Sequence, residues 1–159
     1  MSARGSRSRG FTVIELLVVL SLSAIGLTFA LLSFGGYFQR VSAERAAQVF
    51  AQDLTLARTW AVRSREPVVI RFYEASLWYE VQAQSSATEV AVRRFGVNAD
   101  IDLSAVTLDF PGDSMVFDVR GIADLSGIGG PLGTATFSSG AETYTVSFNS
   151  MGASKIDRT

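Results

Sequence analysis

Hydrophobic and polar positions divide this chain into three regimes. From Phe11 to Phe38 the sequence is apolar almost without interruption, and Glu15 is its one charged side chain. From Tyr37 to Arg65 the apolar residues Ala46, Val49, Phe50, Leu54, Ala57, Trp60 and Ala61 recur at three- and four-residue steps. Arg40, Glu44, Arg45, Gln48, Gln52, Arg58 and Arg63 fall opposite them, which predicts a helix with one packed and one wet face. After Pro67, which cannot continue a helix, the period changes to two. Strands are expected at Val68 to Tyr73, Leu77 to Gln82, Thr88 to Phe95, Val106 to Phe110, Ser114 to Val119, Thr134 to Ser138 and Thr143 to Asn149. The short turns Glu74-Ala75-Ser76 and Ser139-Gly140-Ala141-Glu142 make the first and last pairs antiparallel hairpins. The predicted architecture is α+β, a long amino-terminal helix laid on antiparallel sheet. The adjacent pair Gly35-Gly36 costs a helix roughly 2 kcal/mol relative to alanines, so a bend or local unwinding is expected there.

Length then gives the apolar segment a meaning. A helix from Phe11 to Phe38 would be about 42 Å long, against a hydrocarbon core of about 30 Å. Arg4, Arg7 and Arg9 precede it, and by the positive-inside rule they stay cytoplasmic while the carboxy-terminal domain crosses. Three readings of this segment compete. A cleaved secretory signal fits badly, because such apolar regions run about 7 to 15 residues and close on a small-residue cleavage site. A plain signal anchor explains the length and the arginines, but not the carboxylate of Glu15 or the step from Gly10 to Phe11.

The third reading comes from the run Arg9-Gly10-Phe11-Thr12-Val13-Ile14-Glu15-Leu16, which resembles the processing site of type IV prepilins and type II secretion pseudopilins. The resemblance implies cleavage between Gly10 and Phe11 by a prepilin peptidase, N-methylation of Phe11, and an assembly role for Glu15. An ionised group within a membrane span calls for a partner. The free amine of Phe11 in a neighbouring subunit supplies one, and their pairing in a low dielectric would set the axial register.

Composition narrows the chemistry. Cysteine and histidine are absent, which removes the thiol nucleophile, the commonest zinc ligands and the usual general base near neutral pH. The expectation is no enzyme, no cofactor and no metal. The glycines Gly121, Gly127, Gly129, Gly130 and Gly133 lack the strand, helix and lysine of a phosphate loop, and read instead as a mobile connection able to touch a neighbouring subunit. Serine and aspartate neighbours such as Asp113-Ser114 lack a base that would activate the hydroxyl. Removing Arg4, Arg7 and Arg9 from 14 basic and 15 acidic groups leaves 11 against 15, a formal charge of −4. That balance argues against nucleic acid as the default partner.

The whole order of parts is similar to the pilin class. The runs Val116-Phe117-Asp118-Val119-Arg120-Gly121 and Val146-Ser147-Phe148-Asn149-Ser150-Met151-Gly152 resemble its GspH/FimT-like minor branch. With no proline before Pro67, no cysteine and no run of acidic oxygen donors of the calcium-loop kind, a minor subunit is favoured over a major one. The resemblance implies a leader at 1–10, a membrane and assembly helix at 11–38, and a periplasmic domain at 39–159. It implies single-pass insertion in a bacterial inner membrane, with related subunits, the prepilin peptidase and an inner-membrane platform as partners. The expected function is that of a structural minor pseudopilin in a type II secretion filament. The alternative is a FimT-like minor type IV pilin in pilus assembly or DNA uptake, a role that the resemblance attaches to a Gly-Arg-x-Arg motif. Here that run is Gly152-Ala153-Ser154-Lys155, so Lys155 and Arg158 remain as weak candidate phosphate contacts.

Overall fold

A computed structural model of the chain describes residues 11–96, 99–128 and 130–159, without the side chains of 31–34 and 111. The expected leader at 1–10 and Gly129 lie outside the described residues. The chain divides into two compact units, Met1–Gly35 and Gly36–Thr159. One helix, α1 (Val13–Ser64), belongs to both. It runs through Gly35 and Gly36 without a break in its helical assignment, so the unwinding expected there is not found.

In the second unit the helix buries one stripe. Ala43, Ala46, Ala47, Phe50, Leu54, Ala57 and Ala61 are fully buried, at the spacing that keeps one face inward. The alanines have almost no side-chain bulk, and this allows the helix to approach the sheets closely. Val49 and Trp60, assigned to the same stripe from sequence, sit at its edge and are partly buried.

The strands follow as β1 (Val68–Tyr73), β2 (Trp78–Ala83), β3 (Glu89–Arg94), β4 (Ala105–Leu108), β5 (Ser114–Phe117), β6 (Gly133–Ser139), β7 (Glu142–Phe148) and β8 (Ser154–Arg158). They form two antiparallel four-stranded sheets, ordered β3-β2-β1-β5 and β4-β6-β7-β8. Each predicted strand is present to within a few residues. The exception is β8, which the sequence reading left as a tail: Ile156 is the one apolar side chain in Ser154–Arg158 and has no periodic neighbours.

Alternation places Val68, Ile70, Phe72, Tyr79, Val81, Met115 and Phe117 of the first sheet inward. The second sheet contributes Ala135, Phe137, Tyr144, Val146 and Phe148. Phe50 joins the two sets. Its ring lies 5.4 Å from Phe72 and 5.7 Å from Tyr79 on one side, and 5.5 Å from Phe137 and 5.9 Å from Phe148 on the other. Three of these contacts are edge-to-face, the arrangement that the quadrupoles of aromatic rings favour.

Removing that ring opens a cavity shared by both sheets. Phe50→Ala is expected to cost about 3–5 kcal/mol, whereas Leu56→Ala on the wet face costs under about 1 kcal/mol. Thermal unfolding of the full chain in detergent measures both, and equal losses would contradict this account of the core.

Candidate functional site

The first described residues form a reciprocal cap. Thr12 Oγ1 accepts the Glu15 backbone N–H at 3.3 Å, while Glu15 Oε2 accepts from Thr12 N and Thr12 Oγ1, both at 3.4 Å. This is a Thr-x-x-Glu capping box, which satisfies backbone donors that a helix start leaves free. The sequence reading treated Glu15 only as a carboxylate needing an external partner. The spacing of Thr12 and Glu15 was the signal for this second use.

Beyond the cap the helix surface is apolar all round. Its most apolar window has a mean hydropathy of 2.4 and none of it is buried by the protein. Phe11, Val13, Ile14, Leu16 and Leu17 are each more than half exposed. Two of the hydroxyls that interrupt this surface turn inward: Ser21 Oγ donates to the Leu17 carbonyl at 2.8 Å and Thr28 Oγ1 to the Ala24 carbonyl at 2.9 Å. Internal satisfaction of polar groups is what a hydrocarbon environment demands. Gly10, the other half of the expected processing site, lies outside the described residues.

In the second unit a carboxylate that sequence reasoning passed over is the most buried charge. Asp53 is 2% exposed on the inner edge of the helix. Arg93 of β3 grips it with two hydrogen bonds, Nε to Oδ2 at 2.8 Å and Nη2 to Oδ1 at 3.0 Å. The Tyr79 hydroxyl donates to Oδ2 at 2.8 Å. Register explains the meeting, because Tyr79 and Arg93 are opposite residues of β2 and β3 and so share the inward face. Burial, reinforced by the Asp53 carboxylate, pushes the Tyr79 hydroxyl well above its ordinary pKa of 10.0. The same carboxylate raises Arg93. Asp53 was hidden because, read as one more charge on an amphipathic helix, it falls at the margin of the stripe.

The two quoted glycine runs become matching loops. After β5, Asp118 Oδ1 accepts the N–H groups of Arg120 and Ile122, and Gly121 N donates to the Asp118 carbonyl. After β7, Asn149 Oδ1 accepts the N–H groups of Met151 and Ala153, and Gly152 N donates to the Asn149 carbonyl. Gly121 and Gly152 take left-handed φ values of 75° and 72°, which a side chain resists. The Ile122 N–H and the Arg120 guanidinium hold the Asp118 carboxyl below the usual carboxylate range. Part of the glycine-rich connection is thus pinned: Asp124 N reaches the Val116 carbonyl at 2.9 Å, and Leu125 and Ile128 pack on the core.

Lys155 and Arg158 sit on β8 and both meet carboxylates. Lys155 Nζ lies 2.7 Å from Asp157 and Arg158 Nη2 lies 2.9 Å from Glu142. Among the described residues no group of three or more acidic side chains is placed to hold a metal ion.

A helix apolar on all sides at its start, continuing into an α+β domain of two antiparallel sheets, defines a pilin-like, membrane-anchored subunit. The family model for type II transport protein GspH matches residues 46–152, and that for the prokaryotic N-terminal methylation motif matches residues 5–31. The first match covers most of the chain, and the chain belongs to the GspH family. Among solved structures, the type IV minor pilin FimU of Pseudomonas aeruginosa is similar at 15% identity and a TM-score of 0.55, over 77% of this chain and 92% of that one. The minor pseudopilin EpsH of the Vibrio cholerae Type 2 Secretion System matches at 15% identity and a TM-score of 0.49, over 74% of this chain and 97% of that one. No curated protein matches the sequence.

Two outcomes test the buried network. Arg93→Met strands the Asp53 carboxylate and is expected to cost about 2 kcal/mol in denaturant unfolding, less than a fully buried pair because Arg93 is 43% exposed. Tyr79 binds its proton more tightly folded than unfolded. Its contribution is therefore complete below pH 10.0 and lost as pH rises toward the folded value. Unfolding curves should show an alkaline loss of stability that Tyr79→Phe removes, and a loss that persists in that variant would assign it elsewhere.

Proposed function

We propose that the chain is a structural minor pseudopilin of a type II protein secretion machine, with no catalytic activity of its own. The observation that carries this reading is the joining, in one helix, of an apolar span whose one charged side chain is Glu15 to a GspH-family domain. On this reading residues 1–10 are a leader that stays in the cytoplasm, 11–38 insert in the inner membrane, and 39–159 form a periplasmic domain. The prepilin peptidase cuts between Gly10 and Phe11, and Phe11 is N-methylated. An inner-membrane platform then feeds the subunit into a short filament of related subunits.

Glu15 has two successive partners in this scheme. Before assembly its carboxylate caps its own helix through Thr12, at lengths of 3.3 to 3.4 Å that make the bonds weak. During assembly the methylated amine of a neighbouring Phe11 offers a cationic donor, and an ion-paired bond displaces the long ones to the neutral donors of Thr12. The exchange ties axial register to the presence of a processed neighbour.

The test is the amino-terminal peptide of the protein isolated from membranes of its native host, read by mass spectrometry. A mature chain beginning at N-methylated Phe11 supports the processing scheme. An intact leader would make the segment a plain signal anchor, and a start beyond about Ala30 would make it an ordinary secretory signal. Glu15→Val should still be inserted and cleaved, yet co-purify with related subunits at least about tenfold less, as loss of a buried charge pair implies. Undiminished co-purification would end the register role.

A further inference from the structure

The unit Gly36–Thr159 exposes a group of large apolar side chains that its own core does not use. Val62 is 48% exposed, Val119 46%, Ile122 42% and Met151 54%. They come from three separate elements that meet around Arg58. A Cβ at Gly121 would stand 2.8 Å from Arg58 Cγ and 2.9 Å from Val62 Cγ2, so the loop after β5 lies directly on the helix. Arg58 Nη1 donates to the Met151 carbonyl at 2.9 Å, and Ala123 N donates to the Ser150 carbonyl at 2.6 Å, which ties the loop after β7 to both. The two Asx loops hold these residues in a fixed arrangement. Apolar side chains gathered on a rigid, solvent-facing scaffold are a mark of an interface rather than of a core.

The charges around the group say what fits it. Arg120 is neutralised by Asp118 at 2.8 Å, and the Asp124 carboxylate is engaged by the Ser126 N–H at 3.0 Å. Arg58 meets only a neutral carbonyl there, and Arg63 and Arg65, at and beyond the helix end, meet no carboxylate among the described residues. A twofold contact between copies would set these guanidinium groups against their own counterparts, which opposes a self-complementary dimer. An anionic lipid surface would gain from Arg58, Arg63 and Arg65 but would be opposed by the carboxylates of Asp118 and Asp124.

We propose that Val62, Val119, Ile122 and Met151 form a docking surface for a different pilin-like subunit of the same assembly, one presenting apolar side chains rimmed by Asp or Glu. This rests on the filament function proposed above and names the surface that function would use.

The chain has no cysteine, so Met151→Cys and Val119→Cys each introduce a unique thiol. Each full-length variant, tagged and expressed in the native host, is labelled in membranes with a benzophenone maleimide and irradiated, and its adducts are identified by mass spectrometry. Resistance to protease equal to the parent shows that each variant is folded, and Gln84→Cys on an exposed turn is the control. The expected result is an adduct with another pilin-like subunit, joined beside an Asp or Glu, about fivefold above the control at both positions. Adding Arg65→Glu should lower it about fivefold, the size of one rim charge pair. Adducts with this same chain, with lipid or with a protein lacking a pilin-like segment would overturn the assignment, as would control-level yield or indifference to Arg65→Glu. Co-purification of the parent chain with pilin-like subunits, measured in the same membranes, separates the two ideas. If it co-purifies without an adduct, the surface is wrong and the function stands. If it co-purifies with none, the function fails and this surface with it.

Discussion

The folded domain depends on one face of one helix serving two sheets at once. Phe50 is the residue where this is enforced, since its ring touches Phe72 and Tyr79 of one sheet and Phe137 and Phe148 of the other. Neither sheet alone encloses that ring. The alanines before and after it, Ala43, Ala46, Ala47, Ala57 and Ala61, contribute by their smallness, leaving room for the sheet side chains that fill the layer.

Two polar devices complete what the apolar stripe begins. Asp53 reaches across from the helix to Arg93 and Tyr79 and thereby fastens the outermost strand of the first sheet, β3, which would otherwise be held only by β2. On the other flank, the Asp118 and Asn149 loops close the ends of β5 and β7 with the same set of backbone hydrogen bonds and a left-handed glycine each. Arg58 draws the second loop to the helix. The buried carboxylate of Asp53 would be costly unless fully paired, so it selects one arrangement of strands over near alternatives more than it adds raw stability.

The same helix carries a different constraint in its first half. There the surface is apolar in every direction, and Ser21 and Thr28 hide their hydroxyls against carbonyls of the preceding turn. Glu15 stands apart. A carboxylate in such a segment has to be compensated locally, and Thr12 does so weakly within the chain. In the function proposed above, weak local compensation suits Glu15, because exchange to the amine of a neighbouring subunit then runs downhill.

Much of this was legible in the order of residues alone. Periodicity set out the helix to within a few residues, the strands β1 to β7, both hairpin turns and the inward stripe around Phe50, because each is decided by local spacing of apolar and polar side chains. The run from Arg9 to Leu16 was legible as a motif, since its residues are adjacent, and the N-terminal methylation model matches the segment that holds it. Tertiary structure decided the rest. It decided that the strands divide into two sheets rather than one, that the tail from Ser154 forms β8 beside β7, and that Asp53, far along the chain from Tyr79 and Arg93, is buried between them. It also decided that the two glycine loops meet at Arg58. None of these has a local signature: β8 pairs with a strand only 6 to 14 residues before it but carries one apolar side chain and no alternation to mark it, and the others join residues tens of positions apart that only the closing of the chain around Phe50 brings within bonding distance.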